Sequence, residues 1–102
     1  MHRLHPEKQI TVITSDVLED RLVKLIKQRG ARGYTVFRAY GAGTSGEQSG
    51  MLDVDTNIVM HVIVPSSKLS TMLDGLESLG RKGYHLTVTV ADVSVLWPEK
   101  FE

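Results

Sequence analysis

The sequence predicts an α+β sandwich in which one antiparallel sheet carries two helices on a single face, with the elements in the order βαββαβ. Three observations predict this class. Two stretches with helical apolar spacing each lie between β-rich runs. The pentapeptide Gly30-Ala31-Arg32-Gly33-Tyr34 recurs fifty positions on as Gly80-Arg81-Lys82-Gly83-Tyr84, and each copy joins a helix pattern to a strand pattern. At 102 residues there is room for one domain with a modest core, which two βαβ halves would fill.

Residues 1–8 are polar and interrupted by Pro6, and read as a flexible lead-in to a single domain over 9–102. Ile10-Thr11-Val12-Ile13 is β-branched throughout and forms the first strand. It stops at Thr14-Ser15-Asp16. Asp16 with Glu19 suits a helix start, the aspartate accepting from free amides and the glutamate complementing the positive helix end. Val17, Leu18, Leu22, Leu25 and Ile26 then fall on one stripe, with Asp20, Arg21, Lys24 and Lys27 off it. Gly30 is placed to terminate this helix.

Tyr34–Ala39 is the second strand and Asn57–Val64 the third. In the third, Ile58, Met60, Val62 and Val64 share one face, Asn57, Val59, His61 and Ile63 the other, and both faces are mainly apolar. Helices over one face and another subunit over the other would account for this. Pro65-Ser66-Ser67 ends the strand and offers a cap. Leu69, Met72, Leu73, Leu76 and Leu79 form the second helical stripe, ended by Gly80. Leu86–Val90 is the fourth strand, and Val93–Leu96 either continues it or forms a short extra strand after a bend at Ala91-Asp92. The tail Trp97–Glu102 holds a Trp and a Phe, which suits packing against another surface, a neighbouring chain included. The second glycine of each repeated turn would bend the chain into its strand. The whole is the ferredoxin-like arrangement.

Between the second and third strands, Gly41–Gly50 contains four glycines and no long apolar side chain. It reads as a long mobile loop, and loops of this length in compact domains are usually functional or disordered. Gly41-x-Gly43-x-x-Gly46 matches the spacing of a dinucleotide fingerprint, but that fingerprint must open a helix in a parallel βαβ unit, and here a strand follows. No Gly-Lys-Ser/Thr completes a phosphate-cradling loop. Glycine amides beside a strand end can still approach a phosphate or a base edge.

Twelve basic and twelve acidic residues cancel, so no overall field gathers nucleic acid or a membrane surface. The lack of cysteine excludes thiolate chemistry and suits a reducing compartment. No secretory h-region is visible, and no apolar run approaches the ~20 residues of a membrane helix, so a cytoplasmic protein is expected. Arg32, Arg38, Arg81 and Lys82 are the cations that could meet an anion. His2, His5, His61 and His85 lack metal-ligand spacing, so no metal site is expected. No serine, histidine and carboxylate are spaced as a triad, no catalytic residue is assigned, and a non-enzymatic protein is expected.

Gly33-Tyr34-Thr35-Val36, then Gly41-Ala42-Gly43, then Asn57-Ile58-Val59-Met60-His61-Val62-Ile63-Val64-Pro65 resemble the PII signalling superfamily, over roughly residues 9–97 in order and spacing. The similarity is nearest the PII-like proteins of inorganic-carbon physiology, the SbtB and carboxysome-associated branch. The resemblance implies a homotrimer that binds adenine nucleotides in clefts between subunits. Its T-loop, here about residues 41–56, would change conformation with the ligand and engage a protein target, a transporter or a carbon-fixation component. By position, Ile13, Gly41, Ala42 and Gly43 would line the nucleotide from one subunit. Arg32, Gly33, Tyr34, Thr35 and Ile63 would line it from the neighbour, with the Thr35 hydroxyl on base or ribose. Gly80–Tyr84 takes the place of the phosphate-gripping B-loop, where Arg81 and Lys82 are the candidates.

The chain also departs from the family pattern. The T-loop has no tyrosine, so uridylylation there is not expected, and the B-loop is abbreviated. Val95, Leu96 and Trp97 stand near the place of two arginines on the last strand, and Asn57 takes the place of a lysine. Fewer cations favour ADP or AMP over ATP with magnesium, and bicarbonate is a further candidate ligand. A CutA-like trimer linked to a divalent metal, and a small ferredoxin-like enzyme, are the alternative readings of the same architecture.

Overall fold

The computed structural model describes residues 1–39 and 57–102. Its elements are β1 (His5–Ser15), a 3-10 turn (Asp16–Leu18), α1 (Glu19–Gln28), β2 (Thr35–Ala39), β3 (Asn57–Val64), α2 (Ser66–Arg81), β4 (Thr87–Val95) and a second 3-10 turn (Pro98–Lys100). The described strands form one sheet in the order β2-β3-β1-β4, each neighbouring pair antiparallel. This is the predicted ferredoxin-like α+β sandwich.

The central pair decides where the core lies. Ile10 stands opposite Val62, Val12 opposite Met60 and Thr14 opposite Ile58, so these side chains share one face. Leu22 and Ile26 of α1 and Met72, Leu76 and Leu79 of α2 join them in a single buried cluster. Full burial stabilises by about 1.5–3 kcal/mol for each large aliphatic side chain. Thr14 is also buried, and its Oγ1 donates to the carbonyl of His85 at 2.7 Å. The hydroxyl is thereby satisfied, and the connection before β4 is tied to β1.

The two helices meet at Gly75, where a Cβ would lie 3.0 Å from Leu25 Cδ2 and 3.2 Å from Arg29 Nε. Arg29 Nη1 donates to the carbonyl of Thr71 at 3.1 Å, and Lys68 Nζ to that of Gly30 at 2.9 Å. Each helix thus supplies a cation to backbone oxygens of the other or of its terminal turn.

Several boundaries differ from the sequence reading. β1 begins at His5, not Ile10, so half of the segment read as lead-in is strand: His5 pairs with Val95 and Pro6 with Ser94. Pairing with β3 starts only at Lys8. Pro6 therefore sits where β1 has one partner, a position that tolerates a residue without an amide hydrogen. β4 runs unbroken from Thr87 to Val95, with no bend at Ala91-Asp92, because its ladder with β1 is continuous from Thr87 opposite Ile13 to Val95 opposite His5; Asp92 stays opposite Lys8 within it and pairs with it.

The first helical turn is capped by Ser15, whose Oγ accepts from the Val17 amide at 3.3 Å. Asp16 turns instead to Arg38, at 3.2 Å. The tighter 3-10 winding leaves Val17 exposed while Leu18 is buried. Ser66 and Ser67 do not cap α2; its N-cap is Pro65, with no side-chain bond.

Both helices end in Schellman turns. After α1, the Gly30 amide donates to Lys27 and the Ala31 amide to Ile26; after α2, Gly83 donates to Gly80 and Tyr84 to Leu79. The left-handed residues are Gly30 (φ 105°) and Gly83 (φ 104°). Gly80 therefore lies inside α2 and does not end it, and Gly33 is not the bending residue of the first copy. The repeated pentapeptide uses its first glycine in one place and its second in the other.

Among the described residues, no helix is long and apolar enough to cross a membrane. Alanine at Gly30 or Gly83 is expected to lower stability by about 1–2 kcal/mol, the cost of a left-handed L-residue. Gly33→Ala, whose Cβ would meet nothing within 4 Å, should stay within about 0.5 kcal/mol of the parent. Urea unfolding of the three variants checks this contrast.

Candidate functional site

The sheet face away from the helices carries Gln9, Thr11 and Ile13 of β1, Thr35 and Phe37 of β2, and Val59, His61 and Ile63 of β3, by the registers of the three strands. Phe37 is 47% exposed and Ile13 38%, so the described part of one copy leaves large apolar side chains in water here. At the centre, His61 Nδ1 is hydrogen-bonded to Thr11 Oγ1 at 2.9 Å. The Phe37 ring leans on the imidazole, with centroids 5.6 Å apart and planes at 46°. His61 is thus held in one orientation by two neighbouring strands.

Sequence reasoning did not single out Glu7. It is buried, and its Oε1 has no hydrogen-bond partner among the described residues. A lone carboxylate in a segment read as lead-in carries no signal of burial.

The predicted ligand residues fall into two groups. Ile13 stands opposite Val59 on one side and Thr87 on the other. Arg81 ends α2 and Lys82 caps it, just before the connection that leads into Thr87. These three belong to one end of the sheet. Ser15 and Ala39 both stand opposite Asn57 at this end, so the chain enters residues 40–56 from here. Gly41, Ala42 and Gly43 themselves lie outside the described residues.

Arg32, Gly33 and Tyr34 form the connection from α1 to β2, Thr35 opens β2 opposite His61, and Ile63 stands opposite Gln9. They belong to the other end. Along β3, the partner of Ile13 and Ile63 are four residues apart, about 13 Å at the rise of a strand. One copy brings each group together and keeps the two groups apart.

The cations differ in their freedom. Arg38 is engaged by Asp16 at 3.2 Å. Arg32 Nη1 donates to the main-chain oxygen of Glu102 at 3.0 Å, which fastens the C-terminal segment beside the α1–β2 connection. Among the described residues, Arg81 makes only a loose pair with Glu77 one turn back, at 3.9 Å, with both side chains exposed. Such pairs contribute little, so Arg81 can turn to an anion at small cost. Lys27 Nζ stands 5.9 Å from the Tyr34 ring centroid, and the Arg21 guanidinium 5.2 Å from that of Tyr84. Each aromatic of the repeated turn therefore has a cation over its face. Among the described residues, no three His, Asp or Glu side chains cluster as metal ligands.

The chain is similar to proteins of known structure. The family model described as nitrogen regulatory protein P-II matches residues 7–100. The chain is 33% identical to a PII-like signaling protein from Thermus thermophilus, with a TM-score of 0.81 and 100% of each chain covered. It is 26% identical to CPII from Thiomonas intermedia in the structure bound to ADP and bicarbonate, with a TM-score of 0.87 and 100% of each chain covered. A further structure of CPII, bound to ADP, AMP and bicarbonate, is also 26% identical, with a TM-score of 0.85, covering 99% of this chain and 98% of that one.

Arg32→Ala should leave the global unfolding midpoint unchanged, because the bond it removes is an exposed one. It should also speed amide exchange at residues 99–102, which hydrogen exchange with mass spectrometry would resolve.

Proposed function

The chain belongs to the nitrogen regulatory protein P-II family, and from that premise we propose that it is a non-enzymatic signalling protein. It binds ADP or AMP in clefts between the copies of a homotrimer and uses residues 41–56 to act on a protein target. The observation that carries this reading is the division of the candidate residues between the two ends of one sheet. Two incomplete sets on one copy become a whole site when one end of a subunit meets the other end of its neighbour. The bound ADP, AMP and bicarbonate of CPII support the choice of ligand.

Within such a cleft each residue has a task its chemistry allows. Ile13 and Ile63 offer apolar surface to a base. The exposed Thr35 hydroxyl donates to or accepts from base or ribose. Arg81, Lys82 and Arg32 meet phosphate, with Arg32 released from Glu102 or sharing it. Gly33, with open space where a Cβ would stand, lets backbone approach the ligand. Bicarbonate, a small planar anion, needs only amides and one or two donors. The ligand acts on residues 41–56 to the extent that it binds one of their conformations better than another. The target we propose is cytoplasmic, a transporter or a carbon-fixation component of inorganic-carbon metabolism, as in the SbtB and carboxysome-associated branch.

Thermal shift and calorimetry with AMP, ADP, ATP and cyclic AMP, each with and without bicarbonate, test the reading. ADP and AMP should raise the melting temperature more than ATP with magnesium. Arg81→Ala and Thr35→Ala should each weaken ADP about tenfold, the equivalent of one lost hydrogen bond of about 1.4 kcal/mol. A protein indifferent to all four nucleotides would refute the proposal.

A further inference from the structure

We propose that Trp97 of one copy fills the apolar groove between α2 and β4 of the next, so that the C-terminal segment latches neighbouring subunits together. The inference rests on the homotrimer of the reading above. The groove measures about 400 Å³, and Leu73, Leu76, Tyr84, Leu86, Val88 and Val90 line it. Val90 stands opposite Ile10 on the helix-covered face yet is 42% exposed. Among the described strands, β4 is the last on its side of the sheet, and α2 leaves this part of it uncovered. Trp97, meanwhile, is 60% exposed. An indole combines a large apolar surface with one polar tip, and is suited to a groove of this kind.

The Trp97 of the same copy cannot be the occupant. From Val90 to Val95 the strand runs away from the groove, about 17 Å at the rise of a strand. The segment then turns toward the far side of the sheet, where the Glu102 oxygen accepts from Arg32. Arg32 leads into β2, three strand spacings from β4, about 14 Å. A second copy can supply the indole with no such constraint.

Charge complements shape. Glu77 lines the groove, and Arg81 stands one turn on at 3.9 Å from it. Trp97 is followed by Glu99 and Lys100 in a 3-10 turn. A seated turn can set Lys100 against Glu77 and Glu99 against Arg81. Groove and tail are different surfaces of one chain, so each copy gives one and receives one, a pattern that closes into a ring. The latch would also bring a neighbour's last residues beside Arg81 and Lys82, which ties assembly to the phosphate end of the proposed cleft.

The chain has a single tryptophan, so its fluorescence reads the contact directly. The wild type should sediment as a trimer with blue-shifted emission that acrylamide quenches poorly. Val90→Asp, with its circular dichroism unchanged, should shift the emission to the red, at least double the quenching and weaken assembly. Trp97→Ala should weaken assembly too. In an equimolar mixture of the two variants, the only indole comes from Val90→Asp and the only intact groove from Trp97→Ala, and the emission should return to the blue. A mixture that stays red, or a wild-type trimer whose emission Val90→Asp does not change, overturns the latch and leaves the trimer standing; the second result is also what an occupant drawn from residues 40–56 would give. A monomeric wild type overturns both.

Discussion

The pairing of β1 with β3 is the constraint from which the remaining structure follows. These strands are the central two of the sheet, and their register places Ile10, Val12, Ile58, Met60, Val62 and Val64 together beneath both helices. Side chains alternate along a strand, so a slip of one residue would turn this set to the opposite face. The helices would then meet Thr11, His61 and Gln9, which could not bury their apolar stripes. The same register puts His61 beside Thr11 on the free face, where Phe37 adds its ring. Core and free face are therefore two consequences of one alignment.

From that alignment comes the separation of the candidate ligand residues. An antiparallel sheet has two ends, and the connections between its strands emerge at one or the other. The α2–β4 connection and the entry to residues 40–56 share an end with Ile13, while the α1–β2 connection lies at the other, with Ile63. Among the described residues, Ile13, Arg81 and Lys82 stand at one end, and Arg32, Thr35 and Ile63 at the other. On the proposed reading a whole site forms only by association, and in such a site occupancy and assembly would bear on each other.

Much of the fold was legible because its signals are local. The two-faced apolar pattern of Asn57–Val64, the stripe from Leu69 to Leu79 and the glycine after the first helix each report a property of a few neighbouring residues. The misses have non-local causes. His5, Glu7 and Lys8 look like a polar lead-in, yet they are held as strand by β4, some ninety residues away for His5 and Val95. Asp16 has the chemistry of a helix cap, but Arg38 claims it, and Ser15 takes the capping role. The candidate site was legible in a different sense. No spacing within the chain marks Ile13 or Thr35 as ligand residues, and they came from likeness to a family. The structure adds which of them share an end of the sheet.

The frame shift between the two repeated turns has an engineering consequence. Each pentapeptide carries two glycines but spends only one on the left-handed turn, leaving Gly33 and Gly80 as spares in backbone terms. Gly80 is the more useful of the two. It is the penultimate residue of α2, with vacant space beside its α-carbon, where glycine is poorer than alanine by at most about 1 kcal/mol. A methyl group there would rigidify the chain at no steric cost within one copy, yet it would project from a residue that lines the α2–β4 groove. Retaining glycine at that place holds back intrinsic stability from the isolated subunit and keeps the recess wider than folding alone requires.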